Sequence, residues 1–176
     1  MLRVGQTGIL IIGDSGVGKS ESALELISRG HLFVSDDVTR IKKEKSGKII
    51  GSAPDLSRHF MEIRGLGIIN IKEIFGKNSM LDHTPLDLVI QLKKWRTGME
   101  YDRLGLEFSE EYPILDCPIP LMNIPVAPGR NIATLIEVAC KVHELKARGY
   151  HAPRDICEKL DHALANGERP EGGERS

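Results

Sequence analysis

Eight consecutive residues, Gly13, Asp14, Ser15, Gly16, Val17, Gly18, Lys19 and Ser20, fit the pattern GxxxxGK[ST] and follow an apolar run at residues 8–12. That pattern admits few local folds: a strand must run into a phosphate-binding loop, and the loop must continue into a helix. Glycines at these positions let successive backbone N–H groups wrap around phosphate oxygens. Lys19 then reaches the β- and γ-oxygens, and the Ser20 hydroxyl is placed to ligate Mg²⁺. The positive end of the following helix adds to the attraction. Both flanks read as required. Residues 9–12 are aliphatic and mostly β-branched; Ala23, Leu24, Leu26 and Ile27 recur at helical spacing up to Arg29, and Gly30 supplies the stop. A glycine-rich turn with an exposed lysine is the plainer alternative, and the two flanks argue against it. The chain is expected to bind a nucleotide.

Composition narrows the setting. With 176 residues, 40% hydrophobic and 28% charged, the chain suits one folded domain, expected over residues 1–166, with a polar flexible tail at 167–176. A net charge of −1 from 24 basic and 25 acidic residues gives no global field for nucleic acid or an anionic membrane. No apolar stretch approaches the roughly 20 residues that span a bilayer, so a cytoplasmic setting is expected. Cys117, Cys140 and Cys157 are odd in number and widely spaced, which fits idle thiols better than disulfides or zinc. The six histidines show no paired ligand spacing.

A phosphate site of this kind needs a carboxylate at the end of a second strand. The run at residues 31–34 followed by Asp36 and Asp37 fits that need, because ligands gather at the carboxyl ends of strands in open α/β sheets. One aspartate could organise a metal while the other accepts a proton; an Asx-turn or helix cap is the structural alternative. Asp116, beside Pro118 and Pro120, ranks lower. Further on, Met61, Glu62, Ile63, Arg64, Gly65, Leu66, Gly67, Ile68, Ile69 and Asn70 carry a carboxylate and a guanidinium two residues apart. If the segment is extended, both share one face, and spacing alone leaves a metal-and-phosphate pair and a surface ion pair equally open. Arg103, in Tyr101, Asp102, Arg103, Leu104 and Gly105, and Arg130, after Gly129, are two further arginines suited to phosphoryl charge or to a solvated loop.

Taken in order, GDSGVGKSESALELISRGH, the aspartate pair, MEIRGLGIIN, YDRLG and PVAPGRN resemble the catalytic domain of the HPr kinase/phosphorylase family over most of residues 8–150. Phosphoenolpyruvate carboxykinases, with a similar nucleotide core, are the runner-up relatives. The resemblance implies a bacterial enzyme of carbon metabolism that phosphorylates a regulatory serine on HPr, the phosphocarrier of the sugar phosphotransferase system, or on a paralogue. It also implies the reverse direction, in which inorganic phosphate attacks the phosphoserine and releases pyrophosphate. Carried over by motif, residues Gly13 to Ser20 bind ATP with Lys19 on phosphate, and Ser20, Glu62 and Asp36 serve Mg²⁺. Asp37 is the base for the serine proton, and Arg103 is an active-site arginine. The residues from Met61 to Asn70 serve both reactions, and Ile124, Pro125, Val126, Ala127, Pro128, Gly129, Arg130 and Asn131 are tied to dephosphorylation. Many relatives carry a separate N-terminal domain and a histidine shortly upstream of the loop strand, both before Met1 here, so full catalytic competence is an open point. Some have lysine where this chain has Ala127, which implies weaker or differently organised phosphorolysis. The family assembles as a hexamer, so oligomers are expected. The alternatives are a small-molecule kinase or carboxykinase relative, and a non-catalytic nucleotide-binding regulatory module.

The remaining pattern predicts an α/β domain with a mixed, curved sheet and flanking helices. Residues 86–92 and 112–115 read as strands, residues 48–50 as a strand after a charged turn at 42–47, residues 131–148 as the strongest helix, and residues 153–166 as a last helix. Ile132, Leu135, Ile136, Ala139, Val142 and Leu145 form the expected apolar stripe of the longer helix.

Overall fold

The computed structural model describes residues 1–95 and 110–165. Its first elements are β1 (Leu2–Val4), β2 (Thr7–Gly13), α1 (Lys19–Ser28) and β3 (Leu32–Phe33). Then come β4 (Arg40–Lys43), β5 (Ile49–Ser52), β6 (Phe60–Ile63), β7 (Gly67–Asn70) and α2 (Ile71–Phe75). A 3₁₀ turn at Lys77–Ser79 leads to β8 (His83–Pro85), β9 (Leu88–Lys94), β10 (Glu110–Ile114), β11 (Cys117–Val126), α3 (Ile132–Ala147) and α4 (Ala152–Ala165).

Among the described residues six strands form one sheet in the order β10-β11-β9-β2-β1-β3. The central trio β11, β9 and β2 is parallel, with Ile124 opposite Leu92 and Leu92 opposite Gly13. β10 and β1 run antiparallel to their neighbours, and β3 returns to the direction of β2. The sheet is therefore mixed, as expected, and β2, β9, β11 and β3 all end at one edge. Side chains alternate between its faces. Ile9, Leu88, Ile90, Leu92 and Ile124 join Leu26, Ile27, Ala133 and Ile136 of α1 and α3 in one apolar cluster. Val89 and Ile119, with Leu10 and Ile12 against them, join Met1, Val34 and Ile49 in a second cluster beneath the sheet β4-β5-β8. The central sheet is thus packed between a helical layer and a small antiparallel sheet.

The two sheets meet closely at Gly8. A Cβ there would lie 1.7 Å from the Pro85 carbonyl oxygen, so a side chain cannot be fitted without separating β2 from β8. The apolar stripe of α3 matches the expected one in part: Ile136 and Ala139 are buried, and Ile132 and Leu135 pack against the same cluster. Ala133, Ile136, Ala139 and Cys140 are the buried set, while Leu145 is exposed. The strand read at 112–115 is the C-terminal part of the hairpin arm β10, and Asp116 lies in its turn with φ of 58°. That turn is at the sheet edge opposite the carboxyl ends of β2, β9 and β11. Among the described residues no helix is long and apolar enough to cross a membrane. The tail at 167–176 lies outside the described residues.

Candidate active site

The glycine-rich loop connects β2 to α1 at the carboxyl edge of the sheet. Gly13, Gly16 and Gly18 take φ values of 148°, 73° and 96°, conformations that side chains disfavour. A Cβ on Gly13 would also fall 2.6 Å from the Leu92 carbonyl oxygen. The loop's apolar residue, Val17, is buried in the helical-side core and its N–H donates to the Asp14 carbonyl at 3.3 Å. This plug fixes the loop while leaving Asp14, Ser15 and Gly16 exposed. The Lys19 ammonium donates to the carbonyls of Gly13 at 2.8 Å and Asp14 at 3.0 Å, which holds its charge across the loop.

A cavity of about 360 Å³ opens above the loop, lined by Ser15, Gly16, Gly18, Lys19, Ser20, Glu21, Asp37, Glu62 and Arg64. Asp37 arrives from the turn after β3 because β3 is parallel to β2 and ends at the same edge. Glu62 and Arg64 arrive on the hairpin of β6 and β7. Residues 61–70 form two short strands paired with Glu62 opposite Ile68 and a turn at Arg64, Gly65 and Leu66. The glycines favour the turn, and Met61 and Ile63 anchor the hairpin in the core. Both charged side chains still face the cavity. The Arg64 guanidinium lies over the loop, 3.2 Å from where a Cβ on Gly16 would sit.

The two adjacent aspartates separate in space. Asp37 is exposed to the cavity, whereas Asp36 is half-buried and accepts the Glu62 backbone N–H at 2.9 Å. Burial is the main influence on the Asp36 carboxyl and raises its pKa, opposed by the Glu62 N–H.

Residues 124–131 close the far side of the same sheet edge. The Trp95 N–H donates to the Val126 carbonyl at 2.9 Å, and the Arg130 guanidinium donates to the Pro125 carbonyl at 3.3 Å. Asn131 caps α3 by accepting the Thr134 N–H at 2.8 Å. Its amide nitrogen donates to Glu25 of α1 at 2.8 Å. That bond, then Arg29, holds the Glu25 carboxyl below its usual range. Glu25 and the neighbouring Glu137–His31 pair, at 2.8 Å, were not singled out from sequence, since neither belongs to a recognisable motif. Arg103 and its neighbours 101–105 lie outside the described residues.

The donor set fits a nucleoside triphosphate with a hard cation. It combines a glycine cradle, an ammonium, a guanidinium, a hydroxyl at the first turn of α1 and carboxylates across the cavity. Among the described residues no three His, Cys, Asp or Glu side chains form a metal cage. Ser20 and Glu62 both line the cavity and are suited to hold Mg²⁺ together with phosphate oxygens and water, as that ion prefers. A cavity of about 350 Å³ at the opposite sheet edge, between Gln6, Lys48, Asp87 and Cys117, lacks such a set. Its Asp87 carboxylate accepts the Gly8 N–H at 2.8 Å.

Comparison with known proteins gives a consistent result. The family model described as the HPr serine kinase C-terminal domain matches residues 1–160. The chain is 51% identical over 168 residues to an HPr kinase/phosphorylase of Geobacter sulfurreducens, covering 95% of this chain and 51% of that protein. It is 49% identical over 162 residues to one from Geobacillus thermodenitrificans, covering 92% and 52%. The chain thus spans about half the length of the curated relatives it matches. Among solved structures, the HPr(Ser) kinase/phosphatase from Coxiella burnetii matches with a TM-score of 0.79 and 34% identity, over 88% of this chain and 93% of that one.

Proposed function

The chain belongs to the HPr serine kinase C-terminal domain family, and from that premise we propose that it is the catalytic unit of a bifunctional protein-serine kinase and phosphorylase. In this reading it transfers the γ-phosphoryl group of ATP to a serine of HPr or a paralogue. In the other direction it removes that group with inorganic phosphate to give pyrophosphate. The observation that carries the reading is the convergence of Lys19, Ser20, Asp37, Glu62 and Arg64 on one cavity at the mouth of the glycine loop.

A serine hydroxyl is a poor nucleophile near neutral pH, so the exposed Asp37 carboxylate accepts its proton as the new P–O bond forms and returns it in reverse. Lys19 and Arg64 stabilise charge on the phosphoryl oxygens, with Arg103 as a further candidate for that role. Mg²⁺ supplies charge neutralisation and orientation of the phosphates when bound. Ser20 and Glu62 are its ligands in this reading, and Asp36, with one oxygen taken by the Glu62 N–H, adds negative charge from behind. The turn at Pro128, Gly129, Arg130 and Asn131 is the proposed holder of the attacking phosphate, with Ala127 in place of a lysine seen in some relatives. The remaining residues of that segment, from Ile124 to Val126, support it from the strand.

Two surfaces bear on partners. Phe60, Glu62 and Ile68 share one face of the β6–β7 hairpin, and Phe60, Ile68, the turn residue Leu66 and Val38 beside Asp37 are 42%, 74%, 71% and 59% exposed. Apolar side chains around a polar cavity favour a protein acceptor over a small molecule. On α4, Ile156, Leu160 and Leu164 recur every four residues and are exposed, which supports assembly with further copies, hexameric by resemblance. The proposed setting is the cytoplasm, without a nucleic-acid or membrane role.

The test is incubation with Mg-ATP and purified HPr, weighing the intact acceptor, followed by excess phosphate with a pyrophosphate assay. A single added phosphoryl group, removed with pyrophosphate release, is the expected result. ATP turnover without any protein acceptor would favour a small-molecule or carboxykinase-like enzyme. Binding without turnover would favour a regulatory module.

A further inference from the structure

The loops that follow β2 and β11 are not neighbours in the sheet, because β9 lies between their strands. At an inter-strand spacing of about 4.8 Å they begin roughly 10 Å apart, and nothing in the strand ladder fixes one loop directly to the other. The helices above the sheet make that link. Asn131 ends the second loop and caps α3 through its amide oxygen, accepting the Thr134 N–H at 2.8 Å. The same side chain turns its amide nitrogen to Glu25 of α1, at 2.8 Å. Arg29, one turn along α1, donates to Glu25 at 2.6 Å, to Glu137 and Thr134 of α3 at 2.6 and 3.0 Å, and at a longer 3.3 Å to the Asn131 amide oxygen that already caps α3.

Capping α3 explains only half of Asn131. Serine, threonine or aspartate caps a helix about as well with an oxygen alone. The nitrogen contact is a second bond, and it joins the end of one loop to the helix that grows out of the other. The tie adds little folding energy. The Glu25 and Arg29 side chains are 41% and 31% exposed, and surface pairs of this kind contribute little to stability.

Resting on the functional reading above, we infer that Glu25 is a positioning residue: through Asn131 it holds the Gly129–Arg130 turn in register with the glycine loop. The phosphoserine's phosphoryl group at the glycine loop and the attacking phosphate at the turn then meet at a set separation. Glu25 touches neither substrate. It acts through Asn131, and its loss misplaces the turn while leaving the glycine loop intact.

The experiment uses the full chain and the variants Glu25→Ala, Glu25→Gln and Asn131→Ser. Backbone amide shifts are followed by NMR as Mg-ATP is added. In the wild type the amides of Gly16, Gly18, Gly129 and Arg130 all shift. In Glu25→Ala and Asn131→Ser the first two still shift and the last two do not, whereas Glu25→Gln, which keeps an acceptor for the Asn131 amide, behaves as wild type. In phosphorolysis the KM for inorganic phosphate rises about fivefold in Glu25→Ala, the fold-change for loss of one hydrogen bond of ~1 kcal/mol. The KM for Mg-ATP stays as in the wild type. Silent Gly129 and Arg130 amides in the wild type, or unchanged responses in Asn131→Ser, overturn the inference. So does a parallel fall of both activities with melting temperature. If the wild type catalyses neither reaction while its amides respond as described, the functional reading fails and the positioning role of Glu25 stands.

Discussion

Asp36 accepts the backbone N–H of Glu62 at 2.9 Å, so the residue beside the exposed Asp37 is turned away from the cavity to brace the hairpin that carries Glu62. Sequence adjacency has been divided between two tasks: one carboxylate faces the cavity, and the other sets where its counterpart across the cavity stands.

The Asp36 pair leads to a pH prediction. Burial raises the Asp36 pKa above its ordinary 3.8, so the folded state holds the proton more tightly than the unfolded chain does. The associated stability is full below 3.8 and is lost as pH rises through the raised value. Asp36→Asn keeps an acceptor for the Glu62 N–H and removes the titration. Its melting temperature is expected to equal or exceed the wild type's at neutral pH, with the advantage shrinking as pH falls through that window. A thermal series from pH 3 to 7 decides, and an advantage that grows on acidification contradicts the assignment.

The base role proposed for Asp37 separates catalysis from binding. Asp37→Asn should retain Mg-ATP affinity by calorimetry and lose about 10²–10⁴ in transfer rate, the usual range for a general base. Transfer at the wild-type rate would remove Asp37 from the mechanism.

The exposed hairpin face bears on the acceptor. Ile68 is 74% exposed, so Ile68→Asp should fold normally. The expected effect is a higher KM for the protein acceptor with nucleotide affinity unchanged. An unaltered acceptor KM would point to a partner that docks elsewhere.

Gly8 tests the junction of the two sheets. A Cβ 1.7 Å from the Pro85 carbonyl oxygen forces β2 and β8 apart, and Gly8→Ala should cost more than about 2 kcal/mol in urea unfolding. An unfolding midpoint matching the wild type's would mean that the strands separate easily.

What was legible in the sequence is the part held by local rules. The glycine pattern, its strand and its helix follow from spacing, and α1 ends with Arg29 at its cap and Gly30 at φ of 93°, as read. β11 was not legible, because Pro118, Pro120 and Pro125 argue against a strand that pairs on both sides. The pairing explains the exception. Pro118 and Pro120 pair with β10 before the contact with β9 begins at Leu121, and Pro125 lies beyond the last described β10 partner. Each proline therefore faces a side with no described ladder. The Glu62–Arg64 segment was seen as a site before its hairpin shape was, since alternation looks alike in one strand and in two. The tie from Glu25 to Asn131 joins residues far apart in the chain, and no local pattern announces such a contact.

Gly13 ends β2 in register with Leu92 of β9, a partner that is synthesised long after the loop itself. A nascent chain bearing every residue of the glycine motif but lacking β9 has no wall for the loop to lean on. The loop's wall therefore arrives late in synthesis, with closure of the parallel sheet. Under the proposed function, a nucleotide that binds the closed loop and not the open chain would draw the last-closing strands toward completion, and so would assist folding before it reacted.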